Sequence, residues 1–473
     1  MDYIWCIMVK QIKIFLLPLA FCMLLYACKK DSFITSGNAS LTTSLYKDSL
    51  KYDTVFTSVG STTESFKIFN NNNQKLLLSK VKLMGGNSSA FKININGEPL
   101  SEVDNIEIAA NDSIYVFVTV NINPNSNATP FIVSDSILIS YNGNNKYVQL
   151  QAYGQNAHFL TNTVISSNTI WPNDLPYVIL GSLIINVNDS LTIQAGCRIY
   201  SHANAPFLVN GTLVVNGTKQ DSVVFTGDRL DASYKDLPAS WPGIYFYNSS
   251  INNILTFAII ENANQGIEVD SLSRNANPKL TLHQCIIDNA FGPGMICNNG
   301  SVNMDNSLIY NCGSNIAINS GGNYNFTNCT VAGYSNSFVT HKNPVLQVSN
   351  ADSSQTIMNN LSATFLNCIF WGDGSINDEV VVNKQGSNTF NVLLSHCIYR
   401  VIDQPTNVDT LAIIETDPMF DYIDVNNTIY NFHITNASAP GIDKGTNTPL
   451  LTDLDDYTRN IDSIDIGCYQ KHN

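Results

Sequence analysis

A chain of 473 residues and 52.0 kDa exceeds what one compact core sustains, so two or three domains are expected. Its net charge of -14, from 24 Lys+Arg against 38 Asp+Glu, excludes nucleic acid as a partner, because neutralising phosphates needs a basic face. Only 13% of the residues are charged, and Asn occurs 62 times, as often as Asp, Glu, Lys and Arg combined. Poor helix formers in that proportion exclude long helices and coiled coils and fit an all-β protein rich in turns.

Residues 14–27 (IFLLPLAFCMLLYA) form one apolar run behind Lys10 and Lys13, too short to span a bilayer comfortably and interrupted by Pro18. The run ends at Leu25-Tyr26-Ala27-Cys28, ahead of Lys29 and Lys30. This resembles the signal peptide and lipobox of bacterial lipoproteins. The resemblance implies that residues 1–27 are removed and that Cys28 is acylated. It also implies an outer-membrane lipoprotein of a Gram-negative bacterium, anchored in the lipid through Cys28 and facing the periplasm or the outside. Residues 28–45 are polar and Ser/Thr-rich, as a tether needs.

Residues 46–155 read as about seven short alternating strands, among them Ser65–Phe69, Phe91–Ile95, Ile114–Val118, Ile137–Ile139 and Tyr147–Gln151. Turn clusters such as Asn96-Gly97 and Asn142-Gly143 separate them, which predicts an immunoglobulin-like β-sandwich. The order Phe-x-Ile-x-Asn, Asp-Ser-Ile-x-Val, Val-x-Leu-x-Ala-x-Gly resembles the Hydin-type or choice-of-anchor D domains of bacterial surface proteins.

From residue 158 the pattern changes to short strands ending in Gly or Asn. The triplets beginning at Ala258, Cys285, Ser307, Cys329, Cys368 and Cys397 align with steps of 27, 22, 22, 39 and 29 residues. A repeat near 22 with insertions predicts one coil of a parallel β-helix, whose equivalent side chains stack about 4.8 Å apart. The small residues of that first column then form a buried stack, with the cysteines behaving as reduced small hydrophobes; a Cys297–Cys312 bridge stays open. Four positions on, Asn262, Asn289, Asn311, Gly333 and Gly372 suit a left-handed coil corner. These features together resemble the right-handed β-helices of the pectin-lyase-like superfamily, over residues 158–435.

Residues 436–473 carry Ala439-Pro440-Gly441-Ile442-Asp443-Lys444-Gly445, Asp453-Leu454-Asp455, Arg459 and Ile466-Gly467-Cys468-Tyr469. This resembles the choice-of-anchor Q terminus of bacterial β-helix proteins and is expected to cap the exposed strand edge at one end of the solenoid. Asp453, Asp455 and Asp456 read as a structural turn held by Arg459, or as calcium ligands.

The fold class is thus all-β, an N-terminal immunoglobulin-like sandwich followed by a right-handed parallel β-helix. Pectin-lyase-like folds host lyases, hydrolases and adhesins alike, so the site must decide function. The hydrolase runs Asn-Thr-Asp, Gly-His-Gly and Arg-Ile-Lys do not occur, and the five arginines are scattered. Glu261 and Asp288 occupy equivalent positions in successive coils, where they would repel, raise one pKa or share a cation such as Ca2+. His283 is placed to join them, and all three equally suit a solvated turn. Trp241, Tyr245 and Tyr247 alternate along one strand, as a sugar-stacking face or as core. The leading expectation is a non-catalytic, lipid-anchored envelope protein that binds polysaccharide or other surfaces, with no cofactor or metal. The alternative is a polysaccharide lyase or glycoside hydrolase built on Glu261 and Asp288.

Overall fold

The computed structural model describes residues 32–125, 127 and 129–472, so residues 1–27, expected as a signal peptide, and Cys28 lie outside the described residues. The chain divides between Gln155 and Asn156 into two compact units.

The first unit is a sandwich of two sheets. Leu41–Thr43, Glu64–Asn70, Ser113–Val120 and Phe91–Ile95 form one of them; the second holds Ser49–Phe56, Asn144–Gln155, Phe131–Tyr141, Leu76–Leu83 and Glu102–Ile108. All neighbours are antiparallel except Ser49–Phe56 beside Asn144–Gln155. Strict alternation builds the core: Ile114, Val116, Val118 and Val120 point inward to meet Val81, Ile137, Ile139 and Leu150. Ala39 and Leu41 join that core, so the sandwich begins inside the 28–45 stretch expected as tether; their small and branched apolar side chains explain why.

In the second unit 25 strands pair in parallel as a β-helix. Each coil contributes a strand to each of three walls. The first wall includes Val223–Gly227, Ala258–Glu261, Ile286–Asp288, Leu308–Tyr310, Thr330–Gly333 and Ile369–Gly372. Ile244–Phe246, Ile267–Asp270 and Leu346–Ser349 belong to the second wall; Asn253–Thr256, Leu280–His283 and Leu361–Leu366 belong to the third. Register stacks like on like: Ile260, Ile287, Ile309, Val331, Phe370 and Tyr399 form one inward column. Each is fully buried or nearly so, which stabilises by roughly 1.5–3 kcal/mol per side chain. Phe326 and Phe365, paired in register on the third wall, stack with centroids 5.2 Å apart.

The small column is buried as expected. Cys285, Cys329, Cys368 and Cys397 are free thiols, each with Sγ 3.3–3.4 Å from the carbonyl oxygen two residues earlier. Cys297 and Cys312 are free as well, so no bridge joins them. Burial pushes the Cys285 thiol up to about 12, which keeps it protonated and inert.

The C-terminal segment covers a flank of the solenoid, whereas the sequence pointed to its closing an end. The outward column of the first wall is apolar at Ile286, Leu308, Ile369 and Ile398, and it needs cover. Phe432, Leu454 and Cys468 pack on its first half; Ile434, Ala439 and Ile466 pack on its second.

Candidate functional site: an acidic pocket on the first wall

The first wall ends at a corner where Asn262, Asn289 and Asn311 hold φ of 62°, 51° and 52°. Asn tolerates this left-handed conformation because its short amide bonds locally. Here the amides do more than turn the chain. Asn289 Nδ2 donates to Asn262 Oδ1 at 2.7 Å and to Asp236 O at 2.9 Å, and Asn262 Nδ2 donates to Lys235 O at 2.9 Å. The corner therefore pins an inserted loop, residues 228–240, against the wall. Arg229 braces the same loop, with Nε 2.8 Å from Asp231 Oδ1 and its guanidinium over the Tyr234 ring.

Gly333 and Gly372 continue this column for a different reason. Neither has positive φ. A Cβ on Gly333 would lie 2.7 Å from His341 Nε2, and one on Gly372 would collide with Glu379. The glycines make room for a buried ion-paired cluster in which His341 Nδ1 lies 3.2 Å from Asp373 Oδ1 and Nε2 lies 3.1 Å from Glu379 Oε2. Burial works to lower the His341 pKa, but the two carboxylates outweigh it and raise it. This cluster anchors the loop 334–343.

Loop 228–240, loop 334–343 and the hairpin made by Tyr422–Asp424 and Ile429–Asn431 enclose a pocket of about 230 Å³. Its floor is the outward end of the first wall, where Glu261 pairs in register with Asp288, and Asp288 with Tyr310. Trp241 fixes the first of these: its ring is fully buried and Nε1 donates to Glu261 O at 2.8 Å. Tyr310 is held by the tail, its ring 5.1 Å from Phe432 and 5.8 Å from Tyr430. Asp236, Asn336, Phe338, Thr428 and Tyr430 complete the lining, which contains no basic residue.

Crowding two carboxyls here disfavours their charged forms. Burial raises the Glu261 pKa, opposed by a hydrogen bond from Thr226 and assisted by the charge of Asp236. Burial and then the charge of Glu261 push Asp288 up to about 8, although the Tyr310 hydroxyl donates to it. The pair therefore holds a proton near neutrality, an arrangement able to donate and accept hydrogen bonds in the same small space. The side chains of Asn311 and Asn336 lie against the Tyr430 hydroxyl, and Asn289 Oδ1 is a buried atom of the lining that accepts no hydrogen bond among the described residues.

The other sequence candidates fall elsewhere. His283 lies on the third wall, before the corner at Gln284 (φ 52°), with Nδ1 2.7 Å from Asp305 Oδ2. That corner separates it from Glu261 and Asp288, and the Asp305 hydrogen bond raises its pKa. Trp241 is core and presents no ring face to a ligand. Tyr245 and Tyr247 stack on each other at 6.4 Å beside the second wall, away from the pocket lining. Asp453 accepts from the backbone N–H of Asp455, Tyr457 and Gln470, as a structural turn would. The Arg459 backbone N–H closes this turn onto Leu451 O at 2.8 Å, while its buried guanidinium donates elsewhere, to Asn306 Oδ1 (2.7 Å) and Gly467 O (3.0 Å). Among the described residues no group of three or more His, Cys, Asp or Glu is arranged to hold a metal ion.

Sequence reasoning missed the residues that wall the pocket. Asp236, Phe338 and Tyr430 sit in insertions that share no period with the coils. Only the excess length of the coil from Cys329 to Cys368, 39 residues against 22, signalled that a loop leaves the wall there.

Fold and pocket define a parallel β-helix protein with an acidic lateral pocket. No family model matches the chain, and no curated protein matches it. Among solved structures, a family 123 glycoside hydrolase from Clostridium perfringens, described for glycolipid glycan hydrolysis, aligns at 12% identity with a TM-score of 0.18. The alignment covers 24% of this chain and 26% of that one, so this chain spans about a quarter of the enzyme it matches. So slight a likeness carries no argument about fold or activity.

Proposed function

We propose that this is a lipid-anchored envelope protein of a Gram-negative bacterium whose β-helix binds a neutral glycan in the Glu261–Asp288 pocket. The anchor rests on the Leu-Tyr-Ala-Cys sequence ending at Cys28. One observation carries the ligand class: the pocket holds Asp236, Glu261 and Asp288 and no cation. A uronate would bring a further negative charge into a site that already suppresses ionisation, whereas sugar hydroxyls donate to carboxylates and accept from carboxylic acids. Tyr430 and Phe338 supply ring surface for the apolar face of the sugar.

A second reading, glycoside hydrolysis by the same pair, is favoured by the unequal partners of the two carboxyls. Asp288 faces Tyr310 and Glu261 faces Thr226, and two carboxyls kept in different protonation states are what acid–base cleavage of a glycosidic bond requires.

Purified protein is offered cello-, manno-, malto- and xylo-oligosaccharides alongside oligogalacturonate and alginate oligomers, with and without Ca2+, scoring binding and product release. The expected result is binding of a neutral series, none of the acidic ones, and loss of binding in the Glu261→Gln/Asp288→Asn double variant. Preference for a uronate would overturn the proposal. Product release abolished by either single substitution would establish the second reading.

A further inference from the structure

A second groove, of about 360 Å³, adjoins the pocket, and the two share one residue, Phe338. Gly292, Pro293 and Gly313 contribute to its lining, two of them without a side chain and the third with only a compact ring, so a ligand meets a low surface. Phe291 rises on one side and Phe338 on the other, 58% and 46% exposed. Holding two phenyl rings in water is unfavourable, and neither is needed to fill the core. Ser314, Thr340, Lys342 and Asn343 share the lining with the rings, so the groove combines apolar faces with hydrogen-bonding groups, the ammonium of Lys342 being a donor to sugar hydroxyls. A protein partner would call for a broad apolar patch. A pyranose ring, with C–H groups on its face and hydroxyls around its rim, matches this lining.

Phe338 is also held in place. Its backbone N–H donates to Asn336 Oδ1 at 2.8 Å, and the loop that carries it is anchored through His341 to Asp373 and Glu379. An exposed ring on an anchored loop keeps its orientation when no ligand is bound, which lowers the entropy lost on stacking.

We infer that the groove between Phe291 and Phe338 is a second sugar subsite, and that the ligand is a chain of at least two neutral pyranose units running from the carboxylate pocket across Phe338 onto Phe291. This rests on the reading of the pocket as a neutral-glycan site and deepens it: a single terminal sugar fills only half of the depression.

The test is affinity against chain length. Full-length protein in detergent is titrated with gluco-, manno- and xylo-oligosaccharides of one, two, three and six units. The expected result is an affinity that rises roughly tenfold between one unit and three, as one well-placed ring stack gives, and then levels off. In Phe291→Ala the ratio of hexasaccharide to monosaccharide affinity falls close to one, and Phe291→Trp restores it. Phe291 is exposed, so its truncation leaves the fold intact, which thermal unfolding checks. A wild-type affinity independent of chain length, or an unchanged ratio in Phe291→Ala, overturns the subsite while leaving the pocket standing. Binding of none of these sugars overturns the pocket reading, and the subsite with it.

Discussion

Two columns of left-handed residues run along the β-helix, one at each edge of the first wall, and they have been put to opposite uses. At one edge Asn262 and Asn311 are buried and Asn289 is half-buried, and the amides of Asn262 and Asn289 hold a loop that frames a pocket. At the other edge Gln284, Asn306, Asn328, Asn367 and His396 have φ between 44° and 54° as well, and Asn306, Asn328 and Asn367 are buried too. There the amides bond the tail: Asn306 Nδ2 to Thr452 O at 2.7 Å, Asn367 Nδ2 to Thr446 O at 2.8 Å, and Thr446 N–H back to Asn367 Oδ1 at 2.9 Å. The same backbone requirement selects Asn at both edges. What differs is the partner. The column sealed by the tail fastens the C-terminal segment to the wall, whereas the other fastens the loop that frames the pocket.

Breaking the sealed column has the largest expected effect. Arg459 is buried, and its guanidinium donates to Asn306 Oδ1 and Gly467 O, linking the column to the tail. Arg459→Ala removes the charge and leaves Asn306 Oδ1 without a donor in a dry site, while Gly467 O keeps only the 3.4 Å bond from Asn328 Nδ2. The expected loss is about 3–5 kcal/mol, read as a lowered urea midpoint with fast amide exchange confined to residues 436–472. Unchanged exchange in that segment would mean that apolar packing alone holds it.

How much of this was legible follows from periodicity. The thiol stack and the register of Glu261 with Asp288 both follow the coil repeat, a period near 22 residues lengthened by insertions, and stacking turns such recurrence into contact. The sealed column was legible too, since Asn306, Asn328 and Asn367 each precede a small residue of the first column. It was overlooked because Gln284 and His396 interrupt the asparagines. Gly333 and Gly372 looked like left-handed corners; they are spaces cleared for His341 and Glu379, and a pair 38 residues apart leaves no periodic trace. The pocket itself was half-visible. Its floor belongs to the repeat, but Asp236, Phe338 and Tyr430 come from three unrelated insertions, and only folding brings them together.

A smaller effect sharpens the contrast between the columns. Replacing Asn by Gly keeps the left-handed backbone accessible and deletes only the amide. Asn367→Gly leaves Thr446 with an unpaired N–H and C=O under the tail, an expected cost of about 2 kcal/mol. Asn289→Gly frees Asp236 O at a position water can reach and removes the donor to the part-buried Asn262 Oδ1, an expected cost of about 1 kcal/mol. Urea unfolding of the two variants side by side measures the difference; equal costs would mean that the left-handed turn, and not what the amide holds, is what both columns contribute.

The remaining expected effect has the opposite sign, a gain in stability. In the fold, burial and the neighbouring Glu261 push the Asp288 carboxyl up to about 8, against roughly 4 in an unfolded chain. An acid with a raised folded-state pKa binds its proton more tightly when native, so the native state is favoured at low pH. That advantage is full below about pH 4, drains away as pH rises from 4 to 8, and levels off above. Asp288→Asn removes the ionisation. It should match the wild type near pH 4 and exceed it by about 1 kcal/mol at pH 8, the shift being heavily discounted for the solvent that reaches the pocket. Urea midpoints measured at both pH values decide it. A wild type as stable as Asp288→Asn at pH 8 would mean that the pair meets no desolvation there, and the pocket would lose the stored repulsion that a hydroxyl-bearing ligand is proposed to relieve. A gain at pH 8 accompanied by loss of glycan binding would show stability exchanged for function at one carboxyl, on the open side of the wall and nowhere on the sealed one.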